Sequence, residues 1–215
     1  MKIRIDLKIL IFLVLFYFTN QLKIYLVIML FCFIHELGHI FAGLIFNMKI
    51  EKLEIMPFGF SVSFEDSVTE NFKKIFVAAA GPLVTLAIIF IFFNLKISLK
   101  QEIIYSNILI LIYNLMPIYP LDGGRIIKGI LQIKIEEERA QKMIWKLTKI
   151  TMIIITFVCS IAVYYFKNIA IFLSCIFLWI IILRIEEKRR KLLIFSEENS
   201  KIYSRKAGKK WENQQ

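Results

Sequence analysis

The chain has 215 residues, 58% of them hydrophobic, and a formal net charge of +11. With a mean hydropathy of +0.67 this argues against an ordinary soluble domain, because several apolar runs reach or approach the ~20 residues that carry a helix across a bilayer. Cys32, Cys159 and Cys175 all lie in such runs and suggest no disulfide framework, since buried cysteine ordinarily packs as a small hydrophobe.

In chain order, the apolar runs predict six spans at 7–20, 22–47, 74–95, 103–121, 150–166 and 169–184. No small-residue cleavage site follows the first, so it is expected to be a retained anchor. Between spans two and three, Phe60, Val62 and Phe64 alternate with Ser61 and Ser63, the period-two pattern of a strand, and Pro57-Phe58-Gly59 could turn a hairpin. In span three, Ala78 to Gly81 would let another helix approach closely. The segment 135–149, "IEEERAQKMIWKLTK", reads as an amphipathic helix on the cytoplasmic surface. The expected fold class is therefore an all-α polytopic membrane protein, with six transmembrane helices and a short β-hairpin.

Charge sets the orientation. With both termini in the cytoplasm, 24 of the 28 Lys and Arg face inward, the positive-inside pattern. The basic tail around "EEKRRKLL" is expected to meet anionic lipid headgroups. It carries no nucleic-acid-binding motif, and no nucleic-acid partner is expected.

The only two histidines, His35 and His39, stand four apart inside span two, in "HELGH". That spacing places both imidazoles on one helix face, with Glu36 beside them. It is the H-E-x-x-H arrangement of zinc hydrolases, in which the glutamate is the general base. Ionisable groups within a membrane span are costly, which favours a metal site over a chance cluster. A catalytic zinc takes three protein ligands and keeps a fourth position open. No third histidine exists, and Asp122 in "YNLMPIYPLDGGR" is the remaining intramembrane candidate. Taken alone, "PLDGG" reads equally well as a helix-ending turn with Asp122 exposed. Cys32, three residues before His35, is a weaker candidate, better explained by packing.

"HELGH" in one span followed by "NLMPIYPLDGG" in a later one resembles the site-2 protease family of intramembrane zinc metalloproteases, over residues 22–132. The resemblance implies that His35, His39 and Asp122 bind one Zn2+ per chain and that Glu36 activates water. It implies that Asn114 helps hold the substrate backbone or the oxyanion. Pro57, Phe58 and Gly59 open the segment "PFGFSV", similar to the family's substrate-binding hairpin, with Phe60 at the usual second glycine. Thr85 in "AGPLVT" stands where family members often carry Asn. Residues 1–185 would then form the protease domain and 186–215 a basic cytoplasmic tail, without the CBS domain that related proteins often add.

The pattern is most similar to the family's sporulation branch, which processes the membrane-associated precursor of sigma-K. That implies a pro-sigma factor as substrate, inhibitory membrane proteins as possible partners, and a bacterial membrane location around the forespore. The alternatives are a housekeeping site-2 protease with another substrate, or a zinc-binding or transport protein that cleaves nothing. Glu36 speaks against the last, because a transport site needs no base there.

Overall fold

The computed structural model describes residues 2–56, 59–64, 71–166, 176, 178–180 and 182–187. Most of the expected sixth span, nearly all of the basic tail, Pro57 and Phe58 lie outside the described residues. The chain divides into two compact units, Met1–Thr151 and Met152–Gln215, and the candidate site lies wholly in the first. In the second, the Trp179 indole N–H donates to the Thr156 hydroxyl at 2.9 Å.

The first unit opens with strand β1 (Lys2–Ile5) and the short apolar helix α1 (Lys8–Phe18). Helix α2 (Leu22–Ile45) follows; its 24 residues rise about 36 Å, enough to cross the hydrocarbon core. Both helices stop at an asparagine in the left-handed region, Asn20 (φ 57°) and Asn47 (φ 54°). Each stop is a Schellman arrangement: Gln21 N–H donates to Phe16 C=O at 2.9 Å, and Met48 N–H to Gly43 C=O at 2.8 Å. Asparagine tolerates this conformation better than other residues with a β-carbon, so the sequence sets both stops locally.

After α2 the chain forms β2 (Ile50–Met56) and β3 (Gly59–Phe64), the expected hairpin. The sheet has an unexpected third strand, because β1 pairs in parallel with β2, giving the order β1-β2-β3. Its register collects Ile3, Ile5, Leu53, Ile55, Phe60 and Val62 on one face, and Arg4, Lys52, Glu54, Ser61 and Ser63 on the other. At β3 this face meets α2, with Phe60 and Phe33 rings 5.2 Å apart, while Ile3 and Ile5 of β1 are exposed.

Helix α3 (Asn71–Asn94) packs against α2, α4 (Lys100–Leu115) and α5 (Asp122–Lys134). The close approach expected at Gly81 is present: a β-carbon there would run into His39 and His35. Helices α2 and α4 are also in contact, and Lys23 pairs with Glu102 at 3.3 Å near their N-termini. Phe31, Ile103 and Ile110 form a buried apolar cluster between these helices, covered by Val27, Ile88 and Phe92.

Two expected boundaries need correction. The span predicted at 103–121 ends as helix at Leu115. Met116, before Pro117, is forced into extended backbone (ψ 140°), and a new helix starts at Asp122. The motif therefore opens a helix instead of closing one. The separate surface helix at 135–149 does not form either, because no breaker precedes span five. The two merge into α6 (Glu137–Phe166). Among the described residues α2, α3 and α6 are long and apolar enough to cross a membrane, while α1 and α4 are shorter. Outward residues such as Leu30, Leu86, Phe90 and Leu109 are exposed on α2, α3 and α4, apolar surface suited to lipid.

Candidate metal centre and active site

Three elements converge on one point. Helix α2 supplies His35, Glu36 and His39, α3 forms the wall behind them, and the first residue of α5 supplies Asp122. His35 Nε2 and His39 Nε2 stand 3.3 Å apart, and Asp122 Oδ2 lies 3.0 Å from the first and 3.2 Å from the second. All three residues are buried, at 4%, 2% and 5% exposure.

These separations test whether a metal fits. Two ligand atoms each about 2.0–2.1 Å from a tetrahedral zinc stand about 3.3–3.4 Å apart. The observed triangle is within a few tenths of an ångström of that face, so the residues present fit the ion.

The outer ring nitrogens fix the tautomers. His39 Nδ1–H donates to Val77 C=O at 2.7 Å, which leaves Nε2 with its lone pair. Thr85 is fully buried, and its hydroxyl donates to Gly81 C=O at 3.1 Å. Its oxygen then accepts from His35 Nδ1–H at 2.8 Å, leaving that Nε2 bare as well. Both lone pairs point at Asp122, the arrangement that outer partners impose on metal-ligating imidazoles.

Asp122 is placed by its neighbours. A β-carbon at Gly123 would collide with the Leu115 and Met116 carbonyls, and one at Gly124 with the Ile118 backbone. Only glycines let the turn after α4 fold this tightly onto the start of α5. The Asp122 carboxylate also sits at that helix's N-terminus, where the helix dipole favours negative charge. The exposed-turn alternative does not hold.

Glu36 is buried beside the triangle, and Val62 N–H of β3 donates to its Oε1 at 2.5 Å. The sheet therefore touches the candidate base directly.

Residues 8–121 match the family described as Peptidase M50B-like, and residues 96–155 match Peptidase family M50. The chain belongs to the M50 peptidases, the site-2 protease family. Stage IV sporulation protein FB of Bacillus subtilis is 30% identical over 132 residues, 58% of this chain and 46% of that protein. A zinc metalloprotease of Methanocaldococcus jannaschii is 34% identical over 110 residues, 47% of this chain and 32% of that protein. The chain thus matches less than half the length of these curated relatives. The solved site-2 protease from the same archaeon shares the fold, with a TM-score of 0.62 and 24% identity, covering 86% of this chain and 91% of that one.

In this M50 chain the other expected site residues that are described, Asn114 and Gly59, lie on α4 and β3. Asn114 is half-buried in the last turn of α4, its Nδ2 donating to Ile110 C=O at 3.0 Å. Gly59 opens β3 at φ 140°, a conformation that favours glycine, with the Cys32 sulfur 3.6 Å from where a β-carbon would stand. Among the described residues the metal-ligand cluster holds His35, His39 and Asp122, and Cys32 is not in it. Sequence reasoning gave no role to Thr85 or to the backbones of Val77 and Val62. Thr85 was findable, as a hydroxyl in the middle of an apolar run. The backbone partners carry no sequence signal.

Proposed function

We propose that this protein is an intramembrane zinc metalloprotease that cleaves a membrane-associated polypeptide near the cytoplasmic face. The observation that carries the reading is the buried triangle of His35 Nε2, His39 Nε2 and Asp122 Oδ2 at 3.0–3.3 Å, with a carboxylate beside it. When bound, zinc supplies a water acidified to a pKa of about 7 and polarises the scissile carbonyl. The chain's own residues do the rest. His35 and His39 hold their lone pairs inward through Thr85 and Val77. Glu36 Oε2, the oxygen not held by Val62, takes the water proton and returns it to the leaving amine. Asn114, by family resemblance, steadies the substrate backbone or the oxyanion. By family resemblance the segment with Pro57, Phe58 and Gly59 helps receive the substrate, which adds as a strand to the β2–β3 hairpin because a helical substrate hides its peptide bonds in its own hydrogen bonds.

The membrane arrangement that fits the charge pattern is six spans with both termini in the cytoplasm and basic segments at anionic headgroups. The favoured substrate is the pro-segment of a sporulation sigma factor of the sigma-K type, in the mother-cell membrane around the forespore. The similarity to the Bacillus protein and the inward-facing basic charge support it. The test co-expresses a membrane-bound sigma precursor with the intact protein or with Glu36→Gln. The intact protein should cut it, and the variant should be slower by at least about a hundredfold while keeping about one zinc per chain. Comparable cutting by the variant overturns the mechanism. An uncut precursor, with another membrane protein cleaved, removes only the substrate assignment. Zinc held by a protein that cleaves nothing turns the reading to binding or transport.

A further inference from the structure

Among the described residues strand β3 is an edge strand, and one of its outward N–H groups is already in use. Asp6 N–H donates to Ile55 C=O, so the backbone groups of Ile55 and Leu53 face β1. Those of Glu54 and Lys52 must then face β3, where Ser61 and Ser63 are their partners. Val62 therefore presents its N–H on the open edge, which Phe60 and Phe64 share. An open edge is a template for an added strand, yet here its buried middle donor is held by Glu36 Oε1.

We propose that an extended polypeptide docks on β3 by taking the Val62 N–H from Glu36, so that seating the substrate is the step that releases Oε1. One hydrogen bond breaks and one forms: Val62 N–H passes from the carboxylate to a main-chain carbonyl of the incoming strand. Before docking, Glu36 is tethered to the sheet. Afterwards both of its oxygens are available to the reacting water and leaving amine. A helical segment cannot make the exchange, because its carbonyls are already bonded within the helix. The ligand class is thus any polypeptide stretch with a free main-chain carbonyl, and unwinding is demanded at the same place that frees the base.

This inference rests on the protease reading but is tested by binding. The probe is a fluorescein-labelled peptide of alternating valine and serine, titrated onto full-length, zinc-loaded protein in detergent. Two variants that lack the base are compared. Glu36→Gln keeps an oxygen that can hold Val62 N–H, whereas Glu36→Ala leaves that N–H buried and unmet. A buried donor without a partner is costly, and the peptide carbonyl would relieve it, so Glu36→Ala should bind about five- to tenfold tighter than Glu36→Gln. Adding Val62→Pro, which takes away the outward N–H without breaking a ladder hydrogen bond to β2 but also alters a buried side chain, should abolish that gain. Equal affinities for Glu36→Ala and Glu36→Gln, or a gain that survives Val62→Pro, overturn the proposal. If Val62→Pro does not fold, the Ala-to-Gln ratio still decides. Cleavage by the unaltered protein is scored separately. Cleavage without an affinity difference removes the exchange and keeps the protease. The converse result keeps the exchange and removes the protease.

Discussion

The two halves of α2 lie in the same packing environment and follow different rules. In the N-terminal half, Phe31 packs against Ile103, Ile110, Ile88 and Phe92, and none of those contacts has a direction. Over the next two turns, His35, Glu36 and His39 each have a partner atom at a defined distance: Thr85 Oγ1, Val62 N–H and Val77 C=O. Several of the described glycines border the second half. Gly38 lets α3 approach, a β-carbon there meeting Ala80 C=O at 3.0 Å, while Gly81, Gly123 and Gly124 shape the walls of the site. The apolar half asks for volume, and the polar half asks for position. Volume-conserving swaps should therefore be harmless in one and ruinous in the other.

The largest expected effect comes from a single methyl group. Gly81→Ala would place a β-carbon against both Nε2 atoms, in the space where their lone pairs meet Asp122. Neither histidine can retreat, because each Nδ1 is tied to α3. The purified variant should hold no zinc by metal analysis and cleave nothing. Phe31→Leu, one turn away, should keep zinc and activity within about twofold, with a stability loss below about 1.5 kcal/mol. Stoichiometric zinc in Gly81→Ala would erase the distinction between the halves.

The same distinction explains what the sequence disclosed. The helix bearing His35 and His39 was legible, because four-residue spacing and an unbroken apolar run are local signals. The β2–β3 hairpin was legible from its alternation. Strand β1 was not: Ile3 and Ile5 alternate with Arg4, but four residues specify little, and its partner β2 lies about fifty residues away. The start of α5 at Asp122 was hidden because Gly123 and Gly124 are poor helix formers. They are there for the close approach to the Leu115 and Ile118 backbones, which only the folded chain reveals. Likewise the three residues that could hold a metal could be picked out as residue types, whereas Val62 and Val77 act through backbone atoms that any residue would supply.

A smaller effect separates the ligands from their apolar neighbour. Asp122→Ala removes one corner of the triangle and should lower both bound zinc and cleavage severely. Cys32→Ala should leave both nearly unchanged, because Cys32 packs with the apolar cluster and under Gly59, on the volume side of the comparison. Metal content and cleavage of the two variants, measured side by side, check this. Loss of zinc in the cysteine variant alone would move the third ligand to Cys32 and redraw the boundary between the halves.

The smallest effect is the most discriminating, because it changes no ligand and almost no volume. Thr85 is fully buried in α3 and passes one hydrogen bond to Gly81 C=O while accepting another from His35 Nδ1–H. Thr85→Val keeps the shape and deletes both bonds. The His35 ring then loses what fixes its tautomer and orientation, and its buried Nδ1–H is left without an acceptor. Outer partners of metal-ligating histidines are typically worth about 10–100-fold in affinity, so chelator competition should show zinc weakened by that factor. Thr85→Ser, which restores the hydroxyl, should recover most of the affinity despite its smaller volume. If position governs this half of the helix, serine outperforms valine. If valine matches the unaltered protein and serine falls short, the packing rule of the apolar half extends through the site, and Thr85 is there to fill space.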